Sequence, residues 1–190
     1  MEKNLYIIAG CNGAGKTTAS NTILPFVLDC QEFVNADDIA KELSPFDPDS
    51  AAFEAGRIML NRIDKLMDKE ESFSFETTLA AKSYHQLITR AKERGYNIIL
   101  LFFWLRSIDL AKARVAIRVL EGGHNIPPDV IERRYKSGIF NLFRIYLPLV
   151  DEWFVYDSSD LAIELIAEKN KTKFIQITNL EKWQQLNQSL

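Results

Sequence analysis

The stretch Leu5-Tyr6-Ile7-Ile8-Ala9-Gly10-Cys11-Asn12-Gly13-Ala14-Gly15-Lys16-Thr17-Thr18 decides how the rest of the chain is read. Residues 10–17 fill every specified position of GxxxxGK[ST], the pattern of a phosphate-binding loop. Glycines in such a loop let successive backbone N–H groups turn inward, and together they make an anion cradle at the positive end of the following helix. Lys16 is then expected to reach the β- and γ-phosphates of a nucleotide and the Thr17 hydroxyl to ligate Mg²⁺. Gly10, Asn12, Gly13, Ala14, Gly15 and Thr18 complete the nucleotide-binding set. The bland alternative is a glycine-rich turn with a surface lysine. Context argues against it, because residues 5–9 form a short apolar run of strand type and residues 18–24 continue as a helix.

The 190 residues suffice to bury one sizeable core, so a single domain over 1–190 is expected. A hydrophobic content of 47% with 26% charged residues excludes a mainly disordered chain and predicts a soluble globular one. The longest apolar run, residues 98–105, has the length of a strand and falls well short of the roughly 18 residues of a membrane span. The N-terminus enters the first strand almost at once, without a signal-peptide pattern, and a cytoplasmic location is the expectation. Cys11 and Cys30 form no metal or redox spacing and read as reduced thiols. A net charge of −3 argues against general nucleic-acid binding while leaving room for a local basic site.

Outward from the loop, strands and helices alternate. A second strand is expected at 32–35, and a helix follows at 36–43 with Asp37 and Asp38 in its first turn, where the helix dipole favours acidic groups. A longer helix restarts at Asp47-Pro48-Asp49 and runs to about 69; a third strand covers 72–76; a helix from about 83 to 94 ends at Gly95. The run from Ile98 reads as a central strand covered on both faces. Gly122-Gly123 stops a helix over 109–121, and Pro127-Pro128-Asp129 starts another. A fifth strand is expected at 152–156, a helix capped by Ser158-Ser159-Asp160 to about 169, an edge strand at 173–177 and a short terminal helix. This order predicts an α/β fold: a three-layer α/β/α sandwich of P-loop NTPase type, with a mostly parallel sheet of five or six strands.

Ligands of open α/β sheets bind beyond the carboxyl ends of the strands, so the polar residues at those ends are the candidates. Beside the phosphate loop they are Asn35-Ala36-Asp37-Asp38 and Glu76-Thr77-Thr78. Asp37 could take a hydroxyl proton or hold a Mg²⁺ water, or it could simply cap its helix, as could Asp38. Glu76 and Thr78 could hydrogen-bond a polar substrate, with a structural salt bridge as the alternative for Glu76. No aspartate follows the apolar run at Trp104-Leu105-Arg106-Ser107, which disfavours a motor ATPase or a GTPase switch. Basic residues gather at Lys112, Arg114, Arg118, Arg133 and Arg134 around the Gly-Gly break, with His124 in the turn. Arg114 and Arg118 share a helical face, where like charges repel unless an anion lies nearby. The region 107–136 therefore reads as a helical lid over phosphates, against the alternative of a solvated face with Glu121 pairing to Arg118.

These residues give the chain a resemblance to the zeta toxin-like P-loop kinases, in particular the stand-alone bacterial branch often labelled predicted ABC-type ATPase. The matching motifs are 9–18, Phe33-Val34-Asn35-Ala36-Asp37, Ala55-Gly56-Arg57, Phe75-Glu76-Thr77-Thr78-Leu79, Arg118-Val119-Leu120-Glu121-Gly122-Gly123-His124 and Ile131-Glu132-Arg133-Arg134-Tyr135. Known members phosphorylate UDP-N-acetylglucosamine with ATP or GTP. The resemblance thus implies an NMP-kinase-like, Mg²⁺-dependent phosphotransferase acting on a nucleotide sugar, with another metabolite or a nucleoside as alternative acceptor. A nucleotide-binding regulatory module without phosphotransfer is the reading from a different class. The resemblance also implies Asp37 as general base, Lys16 and Arg118 as its catalytic partners, and Glu76, Thr78 and Arg57 as substrate-binding residues. The second lid cation is His124 by direct match, or Arg133 or Arg134. An antitoxin partner is possible in such a family, but the N-terminus lacks the helical extension that the antitoxin covers in the better-known toxins.

Overall fold

The computed structural model describes residues 2–123, 125–171 and 174–189. Its centre is β1 (Asn4–Gly10), buried from Leu5 onward. That strand lies between β3 (Phe73–Thr77) and β4 (Asn97–Trp104), both parallel to it. β2 (Phe33–Val34) extends the sheet beyond β3, and β5 (Glu152–Asp157) beyond β4, again in parallel. β4 reads as an unbroken apolar run because no side of it faces water: every residue from Leu100 to Trp104 is buried.

The helices return the chain between these strands. They are α1 (Lys16–Phe26), α2 (Ala36–Leu43), a 3₁₀ turn at Pro48–Ala51 leading into α3 (Ala52–Asp68), α4 (Tyr84–Glu93), α5 (Ile108–Leu120) and α6 (Pro128–Asn141). α6 runs on through a π-helical turn, Leu142–Tyr146, into the short α7 (Leu147–Leu149). α1 packs on β1 and β3, and α4 on β4. None of the helices among the described residues is long and apolar enough to cross a membrane.

The sheet departs from expectation on its far side. Residues 158–169 do not form a helix. Ser158 and Ser159 lie in a turn, and the segment after them is β6 (Glu164–Lys169), antiparallel to β5, followed by β7 (Ile175–Ile177), antiparallel to β6. The described sheet therefore has seven strands in the order β2-β3-β1-β4-β5-β6-β7, not five or six. The open edge of β5 explains the difference. Residues 164–169 satisfy its unpaired N–H and C=O groups and bury Ile166 and Ala167, and that non-local gain outweighs a local helix preference. The serines are occupied elsewhere: the Ser158 hydroxyl points at the Ala14 and Trp104 carbonyls. The last helix, α8 (Leu180–Gln188), starts at Asn179, whose side chain accepts from the Lys182 N–H.

α6 fixes the loop that follows β3. At Gly138 the helix comes so close that a Cβ would lie 2.5 Å from the Thr78 carbonyl oxygen, which only glycine permits. Asn141, almost fully buried, donates from Nδ2 to the carbonyls of Leu79 (2.8 Å) and Ala80 (3.1 Å), and the Tyr146 hydroxyl donates to that of Ala81. Asn141 and Tyr146 are one i→i+5 turn apart, so the π-helical segment brings both to the same loop. Leu79 holds a left-handed φ of 57° there. Replacing Asn141 by leucine keeps the bulk but leaves two enclosed carbonyls without their donor. Asn141→Leu is expected to lower stability by about 2 kcal/mol. Urea unfolding measures this, and an unchanged midpoint would rule out the clamp.

Candidate active site

The phosphate loop leaves β1 at Gly10, whose φ is 145° and whose Cβ, if it had one, would collide with the Phe103 carbonyl of β4. Gly13 faces α5, where a Cβ would lie 3.0 Å from the Ala111 oxygen and 3.2 Å from the Arg114 Cβ. The loop is thus wedged between the end of the central strands and the first lid helix. It delivers the chain to α1, which has no side-chain cap and no acidic residue in its first turn. The unpaired N–H groups at that end face the cavity described below with their partial positive charge uncancelled.

Lys16 and Thr17 turn toward the end of β3. Lys16 is buried, donates from Nζ to the Cys11 carbonyl (3.0 Å) and lies 3.4 Å from Glu76 Oε1. The Thr17 hydroxyl donates to Glu76 Oε2 at 2.8 Å. The ion pair foreseen as the alternative for Glu76 therefore exists, and its partner is the phosphate-loop lysine. Cys11 is inert: burial pushes its thiol up to about 11, which keeps it protonated at neutral pH.

At the end of β2 the helix cap is Asn35, whose Oδ1 accepts from the Asp37 N–H at 2.9 Å. Asp37 and Asp38 are exposed and line the cavity as the second and third residues of α2. Asp38, read from the sequence as a cap, instead sits in an acidic cluster. Although the residue is exposed overall, partial desolvation of its carboxyl raises its pKa most, and the negative charges of Glu76 and Asp37 raise it further. An asparagine at the residue just before α2, two positions ahead of Asp37, was the signal that could have assigned the cap correctly.

Two cavities adjoin here. The larger, of about 650 Å³, is lined by Asn12, Gly13, Gly15, Lys16, Thr17 and Thr18 on the phosphate loop. Asp37, Asp38 and Asp49 line its α2–α3 side, and Arg114, Arg118, Arg133 and Arg134 its lid side. The smaller, of about 230 Å³, lies toward the β3 loop and is lined by Thr77, Thr78, Ala80, Ala81 and Tyr84. Lys16, Asn35, Ala36, Asp37, Glu76 and Arg134 line both. Arg57 stands exposed on α3, outside both linings, so it is not brought to the other site residues. Ala14 contributes its backbone, held by Ser158, and not a wall.

The lid is tied at several points. Arg134 donates from Nη1 to Asn12 Oδ1 (3.3 Å), bridging α6 and the phosphate loop. Arg114 donates from Nη1 to the Ser158 carbonyl and from Nη2 to that of Ser159, both at 2.7 Å, so it is anchored at the end of β5 while lining the larger cavity. Glu132 joins Lys136 (2.7 Å) and, across to α5, Lys112 (3.0 Å); hydrogen bonds from these two, Lys136 first, hold its carboxyl down at about 2. The Arg118 side chain packs over Gly123, where any Cβ would lie 2.6 Å from Arg118 Cγ. Tyr135 seats α6 on β4, donating to the Leu105 carbonyl (2.7 Å) and accepting from Trp104 Nε1 (3.2 Å). His124 lies outside the described residues.

Residues 1–162 match the family model described as zeta toxin. An uncharacterized protein of Haemophilus influenzae is 30% identical over 135 residues, 71% of this chain and 94% of that protein. Among solved structures, the AvrRxo1-ORF1:AvrRxo1-ORF2 complex with sulphate ions contains a chain similar to this one. The TM-score is 0.80 at 16% identity, over 97% of this chain and 63% of the other, so this chain spans less than two thirds of that protein. The PezAT toxin–antitoxin system of Streptococcus pneumoniae gives a TM-score of 0.68 at 14% identity, over 99% of this chain and 84% of that one. At such identities the structures speak for the fold, which is that of the P-loop kinases. The family match takes in the phosphate loop, the acidic rim and both lid helices, and on it this chain belongs to the zeta toxin family.

Proposed function

We propose that the chain transfers the γ-phosphoryl group of Mg·ATP to a hydroxyl of a nucleotide sugar such as UDP-N-acetylglucosamine. The observation that carries this reading is the wall shared by the two cavities. A carboxylate (Asp37), a lysine (Lys16) and an arginine (Arg134) stand together where a donor in one cavity would meet an acceptor in the other. Phosphoryl transfer needs those three charges, since catalysis there is positioning plus neutralisation of the transferring oxygens.

The phosphates of ATP would lie on the loop N–H groups with Lys16 on the β- and γ-oxygens, and GTP would be held by the same contacts. Thr17 Oγ1 would hold Mg²⁺, and the Glu76 carboxylate beside it makes the surroundings of that hydroxyl an oxygen-donor set suited to a hard cation. When bound, the metal supplies charge neutralisation at the β,γ-bridge. Asp37 would take the proton of the acceptor hydroxyl as its oxygen bonds to the γ-phosphorus, and the bond to the bridging oxygen breaks to release ADP. Lys16 would exchange Glu76 for the phosphates and Thr17 would exchange it for the metal, which leaves Glu76, with Thr78, able to hydrogen-bond the acceptor. Arg118 and Arg134 would close over the transferring group. Arg134 is the better second cation, because it lines both cavities whereas Arg133 lines only the larger.

Asparagine is nearly isosteric with aspartate but cannot take a proton, and Asn35 already caps the helix. Asp37→Asn is therefore expected to bind ATP like the wild type while phosphoryl transfer falls about 10²-fold or more. Lys16→Ala in the same calorimetry should lose nucleotide affinity. ADP release in the presence of UDP-N-acetylglucosamine reads the transfer, and an undiminished rate in Asp37→Asn would eliminate the base assignment.

The lid arginines act on charge that develops in the transition state, so their removal should lower kcat and kcat/KM together. Arg118→Ala and Arg134→Ala are each expected to cost on the order of 10³-fold in kcat, with ATP affinity nearly unchanged. Arg133→Ala should cost at least tenfold less. Steady-state kinetics of the three variants separates them, and equal rates would remove Arg134 from the lid role.

A further inference from the structure

The C-terminal helix α8 lies beyond the residues that match the family, yet its contacts lead back to the phosphate loop. Its docking is apolar. The Trp183 ring stacks on Trp153 at 5.8 Å with 4° between planes and packs on Phe143 at 5.4 Å, while Leu186 is fully buried. Lys182 is not needed for that anchorage and reaches another way. Its Nζ lies 2.7 Å from Oδ2 of Asp157, a carboxylate buried at the end of β5, and 2.6 Å from exposed Glu164. Among the described residues Asp157 Oδ2 takes no directed hydrogen bond. Its charge is met by the Lys182 ammonium and, at 3.4 Å, by Arg106 Nε.

The other oxygen, Asp157 Oδ1, accepts from the Ser159 N–H at 2.9 Å and so shapes the turn after β5. Two links run from that turn to the nucleotide site. The Ser158 and Ser159 carbonyls hold the Arg114 guanidinium, which lines the larger cavity. The buried Ser158 hydroxyl is 3.0 Å from the Ala14 carbonyl oxygen, which it shares its proton with against the Trp104 carbonyl at 3.1 Å. In a planar trans peptide the C=O of Ala14 and the N–H of Gly15 point in opposite directions. Drawing the carbonyl toward Ser158 therefore aims the Gly15 N–H the other way, and Gly15 lines the cavity.

We propose that Lys182 is a positioning residue for the nucleotide, acting through Asp157 and the Ser158-Ser159 turn on the phosphate loop. This rests on the reading above that the phosphates of ATP occupy that loop. Lys182 does two things at once: it fixes the turn that orients the loop, and it neutralises a buried carboxylate that would otherwise add negative charge beside a polyanion. The titration directions agree. Burial alone would raise the Asp157 carboxyl, but the Lys182 and Ser159 contacts prevail and lower it, and the same pairing raises the Lys182 ammonium.

The test is calorimetric titration of the full chain with a non-hydrolysable ATP analogue and Mg²⁺, alongside thermal unfolding. Lys182→Met, which keeps the stem without the charge, and Ser158→Ala are each expected to bind about tenfold more weakly, the worth of one hydrogen bond to a charged partner. Lys182→Arg should recover most of the affinity, and Glu164→Gln, which removes only the exposed partner, should bind as the wild type does. In turnover the loss should appear in KM for ATP while kcat at saturation holds, a split that general destabilisation does not produce. Should Lys182→Met unfold too easily to titrate, Lys182→Gln takes its place with the same expectation. Wild-type affinity in both the Lys182 variant and Ser158→Ala would overturn the proposal. Failure of the wild type itself to bind the analogue would overturn the phosphate-loop reading, and this inference with it.

Discussion

Everything in the site depends on one backbone approach, that of Gly10 to the carbonyl of Phe103. β1 and β4 pair up to this point, with Gly10 opposite Phe103, and the chain then bends away over the strand ends. A side chain at residue 10 would push the loop off the sheet, and the other supports would lose their target. α5 packs against Gly13, Arg134 reaches Asn12, and Ser158 reaches Ala14, so parts of the chain far apart in sequence hold one short loop. A cradle braced from several sides can meet an anion without rearranging, which is how fixed dipoles stabilise charge most effectively.

Charge in the site is balanced internally. Lys16 and Thr17 rest on Glu76, Arg114 rests on backbone carbonyls, and the three carboxylates of Asp37, Asp38 and Glu76 face the cluster of lid arginines. A triphosphate entering such a site exchanges partners instead of meeting bare charges. The desolvation cost of holding Lys16 buried is thereby offset before any ligand arrives.

Much of this was legible in the sequence, and unevenly so. The glycine loop, the alternating elements and the residues at the strand ends announce themselves because the features behind them are local: a motif of fixed spacing, an apolar period, a glycine after a helix. The cavity linings gather Lys16, Thr17, Asp37, Glu76, Thr78, Arg118 and Arg134 much as those features suggest. What could not be read depends on distant partners. Residues 158–169 carry helix-forming composition, and only the open edge of β5 makes residues 164–169 a strand. Arg114 is expected among the lid cations and lines the cavity, but nothing in the sequence reveals that two carbonyls after β5 also anchor it. Arg57 matched a motif but faces outward, since one turn of α3 decides which residues meet the cavity. Lys182 had no signal at all, because its partner is a single aspartate made conspicuous only by burial.

The position of β1 also governs the order in which the molecule can assemble. β1 precedes the other strands of the sheet in the chain yet lies in its interior, and its two neighbours begin only at Phe73 and Asn97. As the chain leaves the ribosome, the phosphate loop has no wall to lean on until Phe103 has emerged, and its Ser158 tether comes later still. Closing such long segments costs entropy before any pairing rewards it, so folding is slow for the chain's size and the apolar strand stays exposed meanwhile. Nucleotide cannot template an early intermediate under these conditions, and affinity for it should arise only as the sheet closes. A nascent or truncated chain lacking the β4 and β5 ends therefore exposes apolar strand and has no braced phosphate loop to offer a nucleotide.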